Sequence, residues 1–196
     1  MWGMRSAATR TRVWRAAVAS GWLAGLLWAA TGAHAGNLCA GLPQYTVRPL
    51  IGGAPLDLCR LPARALLVVN TASACGFTPQ YAGLEALHQR FKSRGLQVVA
   101  VPANDFGGQE PLKNADIGAF CQINYGVTFP VAEKLTVPLG ADPLFARLAA
   151  ATGQPPRWNF HKYLVTAQGR VTAFASAVDP MSPRVLQAVE AALATP

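Results

Sequence analysis

Two continuous apolar runs constrain the fold of this chain more than any other feature. The first, ALLVVNTA, covers residues 65–72, and the second, LQVVAV, covers residues 96–101. Apolar runs of this length, without alternating polar residues, are typical of strands that are covered on both faces of a sheet. Between the runs, apolar residues recur at helical spacing: Tyr81, Leu84, Leu87 and Phe91. The order predicts a right-handed β-α-β unit with parallel strands.

The other segments extend this unit into a layered α/β pattern. Residues 45–61 predict a short hairpin that turns at Gly52-Gly53, and residues 160–176 predict a second hairpin that turns at Gln168-Gly169. Four helix starts are expected at or beside Thr78, Asn114, Asp142 and Ser182. We therefore expect an α/β protein with a thioredoxin-like fold, in which helices flank a central mixed sheet and a β-hairpin is added at the N-terminal end.

The first 35 residues have the pattern of a secretory signal peptide. They contain four arginines and no acidic residue, then an apolar run over residues 16–30 and the small-x-small triplet AHA at residues 33–35. A membrane anchor and an uncleaved tail are the alternatives, but the run is shorter than the roughly 20 apolar residues of a spanning helix. We expect cleavage after Ala35, one domain over residues 36–196, and export without stable membrane insertion.

Charge and residue spacing exclude several classes of function. Without the four arginines of residues 1–35, the formal net charge falls from +8 to +4. The remaining basic residues form no clustered stripe, so nucleic-acid binding is not predicted. Cysteines and histidines do not occur at metal-ligand spacing, and neither a metal nor a cofactor is predicted.

Cys75 lies between the first apolar run and the first helical pattern. Unpaired N–H groups at a helix N-terminus favour negative charge, which makes a sulfur there more nucleophilic. Thr78 occupies the position at which a C-x-x-C redox protein has its second cysteine. The alternative interpretation is that Cys75 is a small buried apolar residue.

Four motifs, in this order, resemble those of the glutathione peroxidase family. They are ASACGFTPQYAGLEAL, NDFGGQEP, FCQINYGVTFP and RWNFHKYLV, and the resemblance covers nearly all of residues 65–195. The family has a thioredoxin-like fold and reduces hydroperoxides. The resemblance implies that Cys75 is the peroxidatic residue and that Gln109, Trp158 and Asn159 complete the catalytic site. These three side chains supply neutral N–H donors, which can stabilise a thiolate and a departing oxygen without protonating the nucleophile.

The resemblance also implies a partner for the reactive sulfur. Cys121 matches the resolving cysteine of the thioredoxin-dependent members, in which it attacks the sulfenic acid on the peroxidatic residue and forms a disulfide. A thioredoxin-like protein or glutathione would then regenerate the thiols. Cys121 also lies on the apolar face of a predicted helix and could simply be a core residue. The segment between Pro138 and Trp158 lacks the longer insertion that helps some members of the family form tetramers, so the resemblance implies a monomer with an open site. A bacterial periplasm also fits a family of this type.

Cys39 and Cys59 match nothing catalytic in the family. In an exported protein, two such cysteines suggest a structural disulfide, although two free thiols are the alternative. With the first hairpin turning at Gly52-Gly53, Cys59 would face Thr46, so the chain before Leu42 must fold back to bring Cys39 near. Two other functions stay open: a thiol–disulfide oxidoreductase that acts on proteins, and a peroxide sensor that relays its oxidation.

Overall fold

The computed structural model describes Trp2, residues 38–138 and residues 141–194. Contacts separate Met1–Gly32 from a second compact unit, Ala33–Pro196, which contains every element given below. The predicted signal peptide and its cleavage position lie outside the described residues, apart from Trp2. No helix in the described ranges has the length and apolar character that a bilayer crossing requires.

A four-stranded mixed sheet forms the centre of the second unit. Its strands are β3 (Ala65–Thr71), β4 (Leu96–Pro102), β5 (Lys162–Thr166) and β6 (Val171–Phe174), in the order β4-β3-β5-β6. Strands β3 and β4 are parallel, with Ala65 opposite Leu96, whereas β5 runs antiparallel to both β3 and β6. Because β3 and β4 are the two apolar runs, the predicted β-α-β unit is present, and the predicted thioredoxin-like fold is confirmed.

Helices cover both faces of this sheet. The helices are α1 (Gln80–Phe91), α2 (Asn114–Tyr125), α3 (Pro143–Thr152) and α4 (Pro183–Ala194). One core cluster joins α1, α2 and α4 to one face of the sheet, and a second joins α3 and the N-terminal hairpin to the other. Burial on both faces explains why every residue of β3 is buried and why the strand reads as a continuous apolar run.

The N-terminal hairpin consists of β1 (Thr46–Val47) and β2 (Leu56–Asp57), with Gly52 and Gly53 at positive φ in the connection. The predicted register is wrong, because Thr46 pairs with Asp57 and not with Cys59. The chain does fold back as expected: the 3₁₀ turn Leu38–Ala40 contacts the 3₁₀ turn Leu58–Arg60.

Cys59 is disulfide-bonded, whereas Cys75 and Cys121 are free thiols. The side chain of Cys39 lies outside the described part of the chain, so the Cys39–Cys59 pair stays a prediction.

The four helices begin at or near the predicted starts, but Thr78 and Asn114 do not cap them. Helix α1 begins at Gln80 and has no side-chain cap, because the Thr78 hydroxyl bonds elsewhere. Asn114 is already inside α2, and its Oδ1 accepts a hydrogen bond from Lys134 N. Asp142 does cap α3, since its carboxylate accepts from the Leu144 N–H. At the fourth start, the Ser182 carbonyl accepts from Leu186 N and opens α4.

Candidate active site

Three loops that carry the predicted site residues meet at one edge of the sheet. Cys75 lies four residues beyond β3, and Gln109 lies in the loop that follows β4. Trp158 and Asn159 precede β5. Because β3 and β4 are parallel and β5 is antiparallel to β3, the ends of β3 and β4 and the start of β5 lie at the same edge.

A tight turn holds Cys75, which is 7% exposed. The Thr78 hydroxyl accepts a hydrogen bond from Cys75 N at 3.0 Å and donates one to the Ala72 carbonyl at 3.0 Å. The Phe77 N–H donates to the Cys75 sulfur, with 3.4 Å between the N and Sγ atoms. The donor at the sulfur therefore belongs to the turn and not to α1, which begins only at Gln80.

Gln109 is bonded to the cysteine loop and to Asn159. Its main-chain carbonyl accepts from Ala74 N at 2.9 Å, which fixes the loop after β4 against the residue that precedes Cys75. Its side-chain Oε1 accepts from Asn159 Nδ2 at 3.0 Å. Because Oε1 is the acceptor in that bond, Nε2 of Gln109 remains as a neutral donor.

Trp158 covers the loop after β4 and reaches solvent. Its indole lies over Gly107, where a Cβ atom would come within 3.1 Å of Cη2 of the tryptophan. Gly107 has a φ of +71°, so both its backbone and the tryptophan above it favour glycine. Trp158 is 39% exposed, whereas Asn159 beside it is fully buried.

The segment that carries Trp158 and Asn159 is anchored by Asn70, the next-to-last residue of β3. The Asn70 side chain donates to the Trp158 carbonyl at 3.0 Å and accepts from His161 N at 3.0 Å. Its main-chain carbonyl accepts from Phe160 N at 2.6 Å. Phe160 has a φ of +63°, which few non-glycine residues adopt, and this set of bonds holds it there.

Lys162 supports the same segment from within the protein. It is fully buried, and its Nζ donates to the Phe160 carbonyl at 2.7 Å. Burial lowers the pKa of Lys162 to about 7. Sequence reasoning missed both Asn70 and Lys162, because each is one polar residue within a strand and nothing in its spacing indicates a structural role.

Cys121 lies on α2 and is fully buried. It belongs to the same core cluster as Cys75 and Tyr81. Burial raises the pKa of the Cys121 thiol to about 11; its interaction with the Tyr81 hydroxyl acts to lower it, and the nearby Glu110 carboxylate acts to raise it. Cys121 is therefore a protonated thiol at neutral pH in this conformation, and its side chain is packed among core residues.

Glu110, the residue after Gln109, is a further buried polar group that sequence reasoning did not single out. Its Oε1 accepts from the Ser73 hydroxyl at 2.7 Å, and burial raises the pKa of its carboxyl group. Among the described residues, no group of histidine, cysteine and acidic side chains could hold a metal ion.

The structure thus links Gln109 to Asn159 through the side chains and to Ala74 through the main chain, and it packs Trp158 over Gly107 of the same loop. Cys121 lies in the core cluster that also contains Cys75. The catalytic roles of the five residues stay predictions. A family model for glutathione peroxidase matches residues 44–149, a range that includes Cys75, Gln109 and Cys121 and ends before Trp158.

Curated proteins similar to this chain include glutathione peroxidase-like peroxiredoxins and a hydroperoxy fatty acid reductase. A glutathione peroxidase-like peroxiredoxin of Chlamydomonas reinhardtii is 47% identical over 138 residues, which is 67% of this chain and 85% of that protein. A hydroperoxy fatty acid reductase of Synechocystis is 46% identical over 132 residues, which is 62% of this chain and 78% of that protein.

Solved structures agree on the fold. A crystal structure titled Trgpx in apo form has a TM-score of 0.61 and 30% identity, and the match covers 78% of this chain and 95% of that one. A thiol:disulfide interchange protein from Chlorobium tepidum has a TM-score of 0.59 with 16% identity, over 78% of this chain and 95% of that one. At that identity, the second match shows the thioredoxin-like fold alone.

Proposed function

This chain belongs to the glutathione peroxidase family, and we propose that it is a thiol peroxidase that reduces hydroperoxides through Cys75. The observation that carries the proposal is the set of hydrogen bonds that connects Gln109 to Ala74 and to Asn159 at the sheet edge. Gln109 accepts from Ala74 N through its main chain and from Asn159 through its side chain. We infer that the neutral N–H donors of Gln109 and Trp158 face the free thiol of Cys75, because the Ala74–Gln109 hydrogen bond holds the loop after β4, over which Trp158 packs, against the cysteine loop.

The chemistry is a nucleophilic displacement at oxygen. The Cys75 thiolate attacks one oxygen of the hydroperoxide, and the O–O bond breaks with its electron pair leaving on the other oxygen. That oxygen takes up a proton and departs as an alcohol or water, and Cys75 becomes a sulfenic acid. The Gln109 amide and the Trp158 indole supply donors for the departing oxygen, and the Phe77 N–H stabilises the charged sulfur.

Cys121 is the proposed resolving residue. Its thiol attacks the Cys75 sulfenic acid, an S–S bond forms, and the oxygen leaves as water with the thiol proton. A disulfide requires Cα atoms within about 7 Å of each other. Because Cys121 is fully buried on α2 and its thiol is protonated at neutral pH, we propose that this part of α2 shifts or unwinds before the bond forms.

A thiol reductant completes the cycle. We propose a thioredoxin-like protein or glutathione as this reductant, because thiolate exchange reduces a Cys75–Cys121 disulfide. The signal-peptide pattern of residues 1–35 supports export, and the short segment before Trp158 supports a monomer.

Steady-state turnover of the full chain tests the proposal. Consumption of tert-butyl hydroperoxide would be followed with thioredoxin or glutathione as reductant, for wild type, Cys75→Ser and Cys121→Ser. We expect no turnover with Cys75→Ser. We expect Cys121→Ser to reduce one equivalent of peroxide and then to lose cycling with thioredoxin.

Each other outcome has a distinct meaning. Turnover by Cys75→Ser would refute the assignment of the reactive sulfur. Full thioredoxin-driven cycling by Cys121→Ser would refute the resolving role and favour direct reduction of the sulfenic acid. A wild-type protein that is oxidised once and does not turn over with either reductant would favour a peroxide sensor.

A further inference from the structure

Glu110 is a buried carboxylate that the mechanism above does not use. It follows Gln109 in the loop after β4, and the residue is fully buried. Its Oε1 accepts from the Ser73 hydroxyl at 2.7 Å, whereas its Oε2 is buried and has no hydrogen-bond partner among the described residues. Such an atom is unusual in a native protein, because it has lost its water without replacement. Oε2 is therefore an unused acceptor inside the protein.

No cation pairs with this carboxylate in the part of the chain that the structure describes. Lys134 is the cation whose charge acts on it. The Lys134 Nζ, however, donates to the main-chain carbonyls of Glu110 and Leu112, at 2.8 and 2.6 Å. Burial raises the pKa of the Glu110 carboxyl group, although the Ser73 hydrogen bond and the Lys134 charge act in the opposite direction. A carboxylate with a raised pKa is a better proton acceptor than an exposed one.

Tyr81 and Cys121 are the two titratable groups on which the Glu110 charge acts. Tyr81 is fully buried, and its ring centroid lies 5.5 Å from that of Tyr125 on α2 and 5.4 Å, edge-on, from that of Phe160. Its hydroxyl lies next to the Cys121 sulfur and, among the described residues, has no partner of ordinary hydrogen-bond geometry. Burial raises the pKa of Tyr81 well above its usual value, so the hydroxyl keeps its proton and can donate it in a hydrogen bond.

The negative charge of Glu110 decides where the Cys121 proton can go. Loss of this proton to solvent would leave two negative charges close together in the protein interior, where they repel each other strongly. Transfer of the proton to Glu110 keeps one negative charge in the cluster both before and after the transfer. We propose that Glu110 accepts the proton of the Cys121 thiol in the resolving step, and that the Tyr81 hydroxyl donates a hydrogen bond to the thiolate that results. The inference rests on the proposed peroxidase function and deepens it.

The step balances in protons and electrons. Oε2 of Glu110 takes the thiol proton, and the Cys121 thiolate attacks the sulfur of the Cys75 sulfenic acid. An S–S bond forms, and the S–O bond breaks with its electron pair leaving on the oxygen. That oxygen, which already carries one hydrogen, takes the proton back from Glu110 and departs as water. Glu110 is again a carboxylate at the end of the step.

The position of Glu110 fits the second proton transfer as well as the first. Its side chain is bonded to Ser73, two residues before Cys75. The main-chain carbonyl of its neighbour, Gln109, accepts from Ala74 N at 2.9 Å. The carboxylate is therefore fixed to the loop that carries the sulfenic acid, while its charge acts on the thiol of α2.

Single-turnover kinetics separate the resolving step from the peroxide step. The reduced full chain would be mixed with one equivalent of tert-butyl hydroperoxide and quenched with acid at successive times. The remaining peroxide measures the first step, and mass spectrometry of the Cys75–Cys121 peptide pair measures the second. Glu110→Gln, which keeps an acceptor for the Ser73 hydroxyl, and Tyr81→Phe would be compared with wild type. Glu133→Gln is the matched control, because Glu133 is an exposed glutamate.

We expect Glu110→Gln to form the disulfide about 100-fold more slowly than wild type at neutral pH, which is typical for the loss of a general base. It should still consume the first equivalent of peroxide at nearly the wild-type rate. Tyr81→Phe should form the disulfide about tenfold more slowly, because it loses one hydrogen bond to a charged sulfur. Glu133→Gln should match wild type in both steps.

The pH dependence distinguishes a proton acceptor from a structural contact. In wild type the acceptor is internal, so the rate of disulfide formation should stay nearly constant between pH of about 7 and about 9. In Glu110→Gln the proton must go to solvent, and burial still keeps the pKa of the Cys121 thiol above its usual range. The thiolate fraction, and with it the rate, should then rise about tenfold per pH unit over the same range.

Disulfide formation by Glu110→Gln at the wild-type rate would overturn the inference. So would a slower rate with the wild-type pH profile, which would reflect a lost structural contact, or an equal loss in Glu133→Gln. The wild-type profile requires no variant, and a tenfold rise per pH unit in wild type would by itself overturn the inference. A wild-type protein that consumes no peroxide, or that forms no Cys75–Cys121 disulfide, is a different result, and it would refute the proposed function itself.

Discussion

Replacement of Thr78 by valine removes the hydroxyl group and keeps nearly the same side-chain volume, so it tests the hydroxyl alone. Thr78 is 4% exposed, and its hydroxyl makes two hydrogen bonds at 3.0 Å, one from Cys75 N and one to the Ala72 carbonyl. Valine has nearly the same shape and can make neither bond. Thr78→Ser is the matched control, because serine keeps the hydroxyl and loses only a methyl group.

The two variants should differ clearly in stability. A buried group that loses its partner costs about 1–3 kcal/mol. Thr78→Val leaves one donor and one acceptor unpaired, so we expect a loss of about 3 kcal/mol in the free energy of unfolding. Thr78→Ser loses one buried methyl group, and we expect a loss of about 1 kcal/mol.

Urea unfolding of the reduced full chain measures these values, and the rate of peroxide reduction measures the effect on the site. Because the lost bonds position the Cys75 main chain, Thr78→Val should also react with hydroperoxide more slowly than Thr78→Ser. If the two variants unfold with the same free energy and react at the same rate, the hydroxyl does not hold the turn, and the account of this loop is wrong.

Three other predictions concern the surroundings of Trp158. Gly107→Ala and Gly108→Ala both place alanine at positive φ, so each should lower the free energy of unfolding by about 1 kcal/mol. Only Gly107 lies under the indole, so in a peroxidase assay only Gly107→Ala should also lower kcat/KM for hydroperoxide. Burial makes the pKa of His161 lower in the folded protein than in the unfolded chain, so as the pH falls this imidazole is protonated first in the unfolded chain. Unfolding measurements should show that the free energy of unfolding of wild type falls by on the order of 3 kcal/mol relative to His161→Gln between pH of about 6.5 and about 4. Because the pKa of Lys162 is lowered to about 7 in the folded protein, the native state binds fewer protons than the unfolded chain above that pH. The free energy of unfolding of wild type should therefore rise relative to that of Lys162→Met between pH of about 7 and about 10. A difference between the two proteins that does not change with pH would contradict this.

The fold was predictable because its central elements are local patterns. The two apolar runs became β3 and β4 with nearly the predicted bounds, since a strand covered on both faces has no polar alternation to obscure it. The hairpin register was wrong because β1 and β2 are only two residues each, too short for a pattern of alternating residues to fix their pairing.

The site was less predictable, because its supporting contacts are between distant parts of the chain. Thr78 matches the pattern of a helix cap, yet its hydroxyl bonds backward to the Cys75 turn, and sequence spacing alone does not distinguish the two. Asn70 reads as one polar residue within an apolar strand. Its bonds to Trp158 and His161 span about half the chain, and only the folded structure brings them together.

The most direct test of the account is the fate of the peroxide oxygen. The full-length Cys121→Ser protein would be mixed with one equivalent of hydroperoxide in the absence of reductant, and its peptides would be analysed by mass spectrometry. The account predicts that one oxygen atom is added at Cys75 for each peroxide consumed. Peroxide consumption that leaves Cys75 unmodified, or no consumption at all, would contradict it.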